Sequence, residues 1–391
     1  MDIKKQIIKL ALLCSITFFD ENSKISPALA NRVHVVFEEI FVILQQVLPG
    51  NLKQSIVYVL KNPNDIDYYN DILMRLVIKI KNEELNEINL RLKYLAEFGR
   101  LLPYQGNKYC YISDTDIIED DVFINRIIEN LKMSKYKKSM ENASIAIVLC
   151  FRIENKKRLR NFYAALISIY YQDFGRENIK IIAVNQDGED KYMSSIEKYV
   201  DKYIFAKNHG DYNYSWARNI GAQHAVKAKY IVFWDVDIVA PNDIVRKIFN
   251  AFNDHKNIGC VIPYTSSCNL DEKSTSYLLT QLLNTINLDR VLERISAQIM
   301  HEVYGMVISV ESNLFFEIGG QDERYEGWGD EDNDFYYRIY DRCNVKRLNS
   351  LILHLNHPRP IMRIGKDKIN KKCIGTKKNC NEEIGDLNKY S

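Results

Sequence analysis

Ala228-Lys-Tyr-Ile-Val-Phe-Trp-Asp-Val-Asp-Ile-Val-Ala-Pro241 is the stretch on which the fold of this chain turns. Ile231, Val232, Phe233 and Trp234 form an apolar run with the length and the β-branched or aromatic bias of a buried central strand. The run then breaks into Asp235-Val236-Asp237. In a strand, alternate residues face the same way, so these two carboxylates share a side and can converge on one hard cation. Mg²⁺ or Mn²⁺ held by oxygen ligands would in turn hold a diphosphate. A lone Asp-X-Asp reads equally well as a solvated turn at a strand end, and the surrounding chain decides between the two.

Outward from this stretch, strands alternate with helices. Ile145 to Leu149 and Ile179 to Val184 read as buried strands, and helices are predicted over Lys157 to Tyr171 and Ser215 to Val226. The alternation predicts an α/β fold, a Rossmann-like open mixed sheet flanked by helices, with ligands at the carboxyl ends of the strands. Phe151-Arg152 follows the first strand, Asn185-Gln186-Asp187-Gly188 the second and Asp235-Val-Asp237 the third. Arg152 has the chemistry to pair with a phosphate, and Asp187 to accept hydrogen bonds from a base or ribose. Trp216-Ala-Arg-Asn-Ile-Gly221 sets Arg218 on a helix whose N-terminal end points at the same rim. Each of these alone is an ordinary surface charge, and only their coincidence at one rim singles them out.

With 391 residues the chain has room for two domains. Residues 1–140 read as helical, with apolar residues at helical spacing in Val35, Phe37, Ile40, Phe41, Ile43, Leu44 and Leu48, and again from Ile72 to Ile80. Lys132 to Asn142 reads as a linker, 141–358 as the α/β domain and 359–391 as a basic, solvated tail. Lys+Arg 53 against Asp+Glu 51 leaves almost no net charge, so nothing asks for nucleic acid. Eight scattered cysteines without a Cys-X-X-Cys pair fit reduced thiols in the cytoplasm. Lys9 interrupts the first apolar run, which therefore reads as an amphipathic helix, not a signal peptide, and no run approaches the ~20 apolar residues of a membrane span. The expected location is the cytoplasm, with the basic tail offering a peripheral contact to an anionic membrane surface and the N-terminal helices a surface for self-association.

The second informative stretch is Gly319-Gly-Gln-Asp-Glu-Arg-Tyr-Glu-Gly-Trp-Gly-Asp-Glu-Asp-Asn-Asp-Phe335. Gly327-Trp328-Gly329 is a turn carrying one aromatic plate, suited to stacking on a sugar face. Carboxylates follow at once, and Phe335, Tyr336 and Ile339 read as the buried stripe of a helix. By itself such a run is an acidic first turn favoured by the helix dipole. After a predicted strand over Val345 to Leu353 comes His354-Leu-Asn-His357, and imidazole suits Mn²⁺.

Taken in order, Phe151-Arg152, Asn185-Gln-X-Gly188, Arg218-Asn-X-Gly221 and Asp235-Val-Asp-X-X-X-Pro-Asn-Asp243 resemble the nucleotide-sugar half of a GT-A glycosyltransferase of family 2 type. Gly-Trp-Gly-X-Glu-Asp-X-Asp resembles the acceptor signature of the β-1,4-galactosyltransferases and of chondroitin-polymerase-type domains. The resemblance covers about Ile145 to Pro358 and implies a metal-dependent inverting transfer of a hexose, galactose or N-acetylgalactosamine, from a UDP-sugar. A glucosyl- or N-acetylglucosaminyltransferase is the alternative within enzymes, and an inactive nucleotide-sugar or glycan-binding module the alternative outside them. It implies Asp332 as base and Glu331 as its orienting neighbour. Phe151, Arg152, Asp187, Arg218, Asp235, Gly305 and Trp328 become donor contacts. Asp237 becomes the Mn²⁺ (or Mg²⁺) ligand with His357, and Asp235 and His354 are further candidates. The acceptor is a glycan, a lipid-linked saccharide or a peptide side chain. Cys150 stands where the galactosyltransferases carry proline, and Asn333 where they carry aspartate. Val303, where they carry a larger residue, leaves room for an acetamido group.

Overall fold

The structure, a computed structural model, describes residues 3–19, 27–62, 65–98, 101–105, 116–133, 139–254, 257–284, 291, 295, 297–301, 303–358, 363–364, 367–370, 373–374 and 378–390. The chain divides into two compact units. The first begins with five helices, α1 (Ile3–Phe19), α2 (Pro27–Val47), α3 (Leu52–Lys61), α4 (Ile66–Lys79) and α5 (Asn82–Phe98). Their buried residues recur every three or four positions, as in Ile8, Leu12 and Ile16 of α1 and Phe37, Ile40 and Leu44 of α2. Removing each such side chain from water contributes roughly 1.5–3 kcal/mol, which these helices need because few isolated helices of this length are stable. Val35, expected on the buried stripe, is exposed. Strand β1 (Leu101–Gln105) was not expected in this helical stretch; its five residues are too few to carry a period.

The second unit opens with α6 (Asp120–Met133), and then strands and helices alternate as the sequence predicts. In order come β2 (Ile145–Phe151), α7 (Lys156–Tyr170), β3 (Ile179–Asp187), α8 (Met193–Ile196), β4 (Lys202–Lys207), α9 (Tyr214–Gln223), β5 (Tyr230–Trp234), β6 (Ile238–Val239), α10 (Ile244–Asp254) and β7 (Ile258–Ile262). The chain then returns to the first unit for β8 (Ser266–Leu270), α11 (Glu272–Leu282) and β9 (Ala297–His301), where β9 pairs antiparallel with both β8 and β1. It comes back with β10 (Val307–Glu311), a short helix Ser312–Glu317, the acidic helix Glu331–Tyr340, β11 (Asn344–Arg347) and β12 (Leu351–His354).

Seven strands form the main sheet in the order β11-β7-β10-β5-β2-β3-β4. β5, β2, β3 and β4 run parallel, while β10 lies antiparallel between β5 and β7. β2 and β5 are buried along their whole length, which is why they read as unbroken apolar runs. The sheet is thus the open mixed α/β sheet that the sequence predicts, and β2, β3 and β5 end on one rim.

Two expectations are corrected. Val345 to Leu353 is two strands, because Leu348-Asn349-Ser350 turns the chain: β11 joins the main sheet, and β12 pairs with β6 in a separate antiparallel ladder. The tail is not simply solvated. Most of Arg359 to Lys378 lies outside the described residues, but Asn370 and Cys373 are buried. The segment 378–390 packs against α9: Trp216 Nε1 donates to the Asp386 carbonyl (2.8 Å), and the Trp216 and Tyr390 rings meet edge to face at 4.8 Å. Cys110 and residues 134–138 of the expected linker also lie outside the described residues.

Candidate active site

β5 ends at Trp234, so Asp235-Val-Asp237 lies in a turn, and partners instead of strand alternation fix the two carboxylates. The Asp235 N–H donates to the Met306 carbonyl (2.8 Å), which ties the turn to the start of β10. Opposite the turn, β12 pairs with β6 in the register His354↔Ile238, and the Leu355 N–H donates to the Asp237 carbonyl (2.9 Å). That ladder delivers both histidines to Asp237. His357 Nε2 lies 2.9 Å from Asp237 Oδ2 and His354 Nε2 lies 3.6 Å from Oδ1. All three side chains are buried, and one ligand atom from each falls within 4.8 Å of the others.

The donor set fits a divalent cation on two counts. His357 Nδ1 is 2.8 Å from the Pro358 carbonyl, which can only accept, so Nδ1 carries a proton. Nε2 then faces the Asp237 carboxylate at 2.9 Å, as a ligand nitrogen turned to the same point as the carboxylate would. Asp237 Oδ1 and His357 Nε2 are both buried without a well-formed hydrogen bond among the described residues. One carboxylate with two imidazoles is also a set that suits Mn²⁺. Burial pushes the Asp237 carboxyl up, but His354, His357 and Arg158 outweigh it and hold the group well below the usual carboxylate range. The sequence preferred His357 over His354; the structure brings both.

Asp235 belongs to a second cluster. Arg218, fully buried on α9, donates from one η nitrogen to Asp332 Oδ1 (2.9 Å) and from the other to Asp235 Oδ1 (3.1 Å). Its guanidinium lies over the Tyr214 ring at 3.9 Å, and the Tyr214 hydroxyl donates to Asp235. Arg218, expected among the donor contacts, therefore bridges the turn after β5 and the acidic helix, with both η nitrogens engaged by protein carboxylates. α9 is set by Asn213, whose Oδ1 caps the helix by accepting from the Trp216 N–H (2.8 Å).

Asp332 stands at the start of the acidic helix, its side chain 29% exposed. Its Oδ2 lies against Gly305, where an added Cβ would come within 2.2 Å, so any side chain there would push the carboxylate aside. Tyr264 donates from its hydroxyl to the Gly305 carbonyl and fixes that backbone. Glu331 Oε2 is buried without a partner among the described residues. Burial first, and then the Asp332 charge, push the Glu331 carboxyl up to about 8. Burial, together with Asp237 and Asp332, likewise pushes Asp235 up to about 7 against the pull of Arg218. Trp328 is 44% exposed between Gly327 and Gly329, both at positive φ. The Gly327 N–H donates to the Tyr212 carbonyl, and Asn370 donates from Nδ2 to the Gly329 carbonyl (2.8 Å), so both flanks of Trp328 are tied down.

The remaining rim residues are engaged within the protein. Phe151 is in the core against Phe162, with ring centroids 4.6 Å apart. Arg152 spends all three guanidinium nitrogens on the carbonyls of Gln186, Asn208 and Gly210. Asp187 Oδ1 accepts from the Gly188 N–H. Sequence reasoning missed Arg158, Tyr214 and Tyr264. Arg158 sat inside a correctly predicted helix, and its only signal was its place one turn after the first strand's rim.

Residues 146–362, more than half of the chain, match the family described as glycosyltransferase like family 2. The chain belongs to that family. Over 97 residues it is 36% identical to the minor teichoic acid biosynthesis protein GgaB of Bacillus subtilis (strain 168), a stretch that makes up 24% of this chain and 11% of that protein. A crystal structure of GalNAc-T7 with UDP, GalNAc and Mn²⁺ is similar with a TM-score of 0.40 and 14% identity, over 55% of this chain and 43% of that one. Within this family 2 glycosyltransferase, the matched span includes β2, β5, both histidines and the acidic helix, and so every residue of the two clusters.

Proposed function

We propose that this glycosyltransferase moves a hexose from a UDP-sugar to an acceptor with inversion, aided by a divalent cation. The observation that carries the reading is the buried group Asp237, His354 and His357, whose ligand atoms converge within 4.8 Å while Asp237 Oδ1 and His357 Nε2 lack a well-formed hydrogen bond among the described residues. Asp237, His354 and His357 would hold Mn²⁺ or Mg²⁺, which when bound neutralises the departing diphosphate as a Lewis acid. Asp332 takes the proton from the acceptor's nucleophile as that atom attacks the anomeric carbon, while the bond from that carbon to the diphosphate oxygen breaks and UDP leaves. Arg218 holds one oxygen of Asp332, and the bare Gly305 lets the other lie against the backbone. Glu331, whose carboxyl keeps its proton at neutral pH, does not compete for the acceptor's proton. Trp328 offers its exposed face to a sugar. Galactose and N-acetylgalactosamine are the favoured sugars. The relative named for teichoic acid biosynthesis favours an acceptor of that class over a peptide side chain.

The test is UDP release from a panel of UDP-sugars with and without Mn²⁺. One donor is expected to be hydrolysed slowly, with the activity lost on chelation and in Asp237→Ala. Asp332→Asn is expected to bind the donor normally and to transfer nothing. Turnover indifferent to chelator would remove the metal from the reading, and full transfer by Asp332→Asn would remove the base.

A further inference from the structure

α7 begins with three cations, Lys156, Lys157 and Arg158, and has no acid in its first turn. A helix N-terminus carries partial positive charge, so basic residues there oppose the dipole and cost stability unless an anion joins them. Lys156 is answered by Asp121 on the protein surface, at 2.7 Å. Arg158 turns the other way. One of its η nitrogens lies 3.3 Å from Asp237 Oδ2, a long contact with a carboxylate that is only 9% exposed, while the arginine side chain is 20% exposed. Asp237 is its single side-chain partner among the described residues, so one of its five donors is in use. Two residues on, Arg160 is fully buried and donates to Asp120 and to the Asn356 carbonyl, each at 2.7 Å. Arg160 thus fixes α7 against the turn that carries His357, and Arg158 is the cation left adjustable.

We propose that Arg158 is an exchangeable counter-ion: it neutralises Asp237 while no metal is bound, and a divalent cation displaces it onto the diphosphate of the nucleotide. The inference rests on the metal reading of Asp237, His354 and His357. Coulomb repulsion from a cation on Asp237 pushes the guanidinium off that carboxylate, and its planar fork suits two phosphate oxygens. The two roles have opposite signs. Without Arg158 the metal meets a carboxylate with no resident competitor, whereas the nucleotide loses a charged contact.

Calorimetric titration of Mn²⁺, and then of UDP at saturating Mn²⁺, into the wild-type chain, Arg158→Met and Arg158→Lys tests this. Arg158→Met is expected to bind Mn²⁺ about tenfold more tightly and UDP about tenfold more weakly. Arg158→Lys, which keeps the charge without the fork, is expected to bind Mn²⁺ as the wild type does and UDP with intermediate affinity. Wild-type Mn²⁺ binding with both affinities weakened in Arg158→Met overturns the proposal, because that is the signature of a structural arginine. No Mn²⁺ binding to the wild type overturns the metal reading itself.

Discussion

Glu331 and Asp332 are neighbours on one turn, yet their environments give them different work. Glu331 Oε2 is buried without a partner among the described residues, while one oxygen of Asp332 is held by Arg218. The Glu331 carboxyl, raised from 4.5 to about 8, keeps its proton in the folded chain over a range where the unfolded chain has lost it. Between those values the folded state binds more protons, so its stability is fully present at low pH and is lost as pH rises toward 8. Asp235 contributes in the same direction, but only up to about 7. In the metal-free protein the thermal midpoint of the wild type is therefore expected to fall between pH 7 and 8.5 more steeply than that of Glu331→Gln, which mimics the protonated acid. Parallel curves would show that Glu331 ionises normally. At this scale the sequence announced which side chains gather but not how they pair. Asp237 with its histidines was legible as a set of ligand types. The spending of Arg152 on three carbonyls, and of Arg218 on two carboxylates, was not, because an arginine looks the same in sequence whether it waits for a phosphate or already has partners.

The elements were legible wherever one period ran long enough. β2 and β5 are unbroken apolar runs, and α7 carries a clear stripe, but β1 and the turn at Leu348 to Ser350 are too short to leave a pattern. The docking of the C-terminal segment on α9 was also hidden, since a polar stretch rich in Asn, Glu and Lys reads as solvated whether or not backbone groups bind it. That docking converges on the helix holding Arg218. Asn213 caps α9 through Oδ1 and donates from Nδ2 to the Glu323 carbonyl and to the Tyr390 hydroxyl, each at 2.8 Å. Tyr390 in turn donates to Glu326 Oε1 (2.7 Å), one residue before Gly327-Trp328-Gly329. Tyr390→Phe loses the two hydroxyl bonds and is expected to cost about 1 kcal/mol, given their partly exposed setting. Asn213→Ala also loses the cap and is expected to cost about 2 kcal/mol. Urea denaturation of the two variants checks the order. A Tyr390→Phe protein as stable as the wild type would mean that the segment is undocked in solution.

At the scale of the whole molecule, the change from helical to alternating text near residue 140 suggests a single cut between two domains. The chain is instead organised as an excursion: after β7 it goes back to the first unit for 266–281 and 286–303, and then returns with Tyr304 to build β10 and the acidic helix. Sequence could not show this, because β8, α11 and β9 carry the same kinds of residue as the elements around them. A consequence follows for any fragment. Residues 141–391 retain β8 and β9 but lack β1, which pairs with β9, and the helices whose apolar faces make the first unit's core. An unpaired strand edge with uncovered apolar surface invites association between copies. That fragment is expected to aggregate or to unfold without a cooperative transition. Size-exclusion chromatography and a thermal melt of the fragment decide the matter: a monodisperse, cooperatively folded 141–391 would mean that the excursion does not depend on the first unit's helices and β1 for its stability.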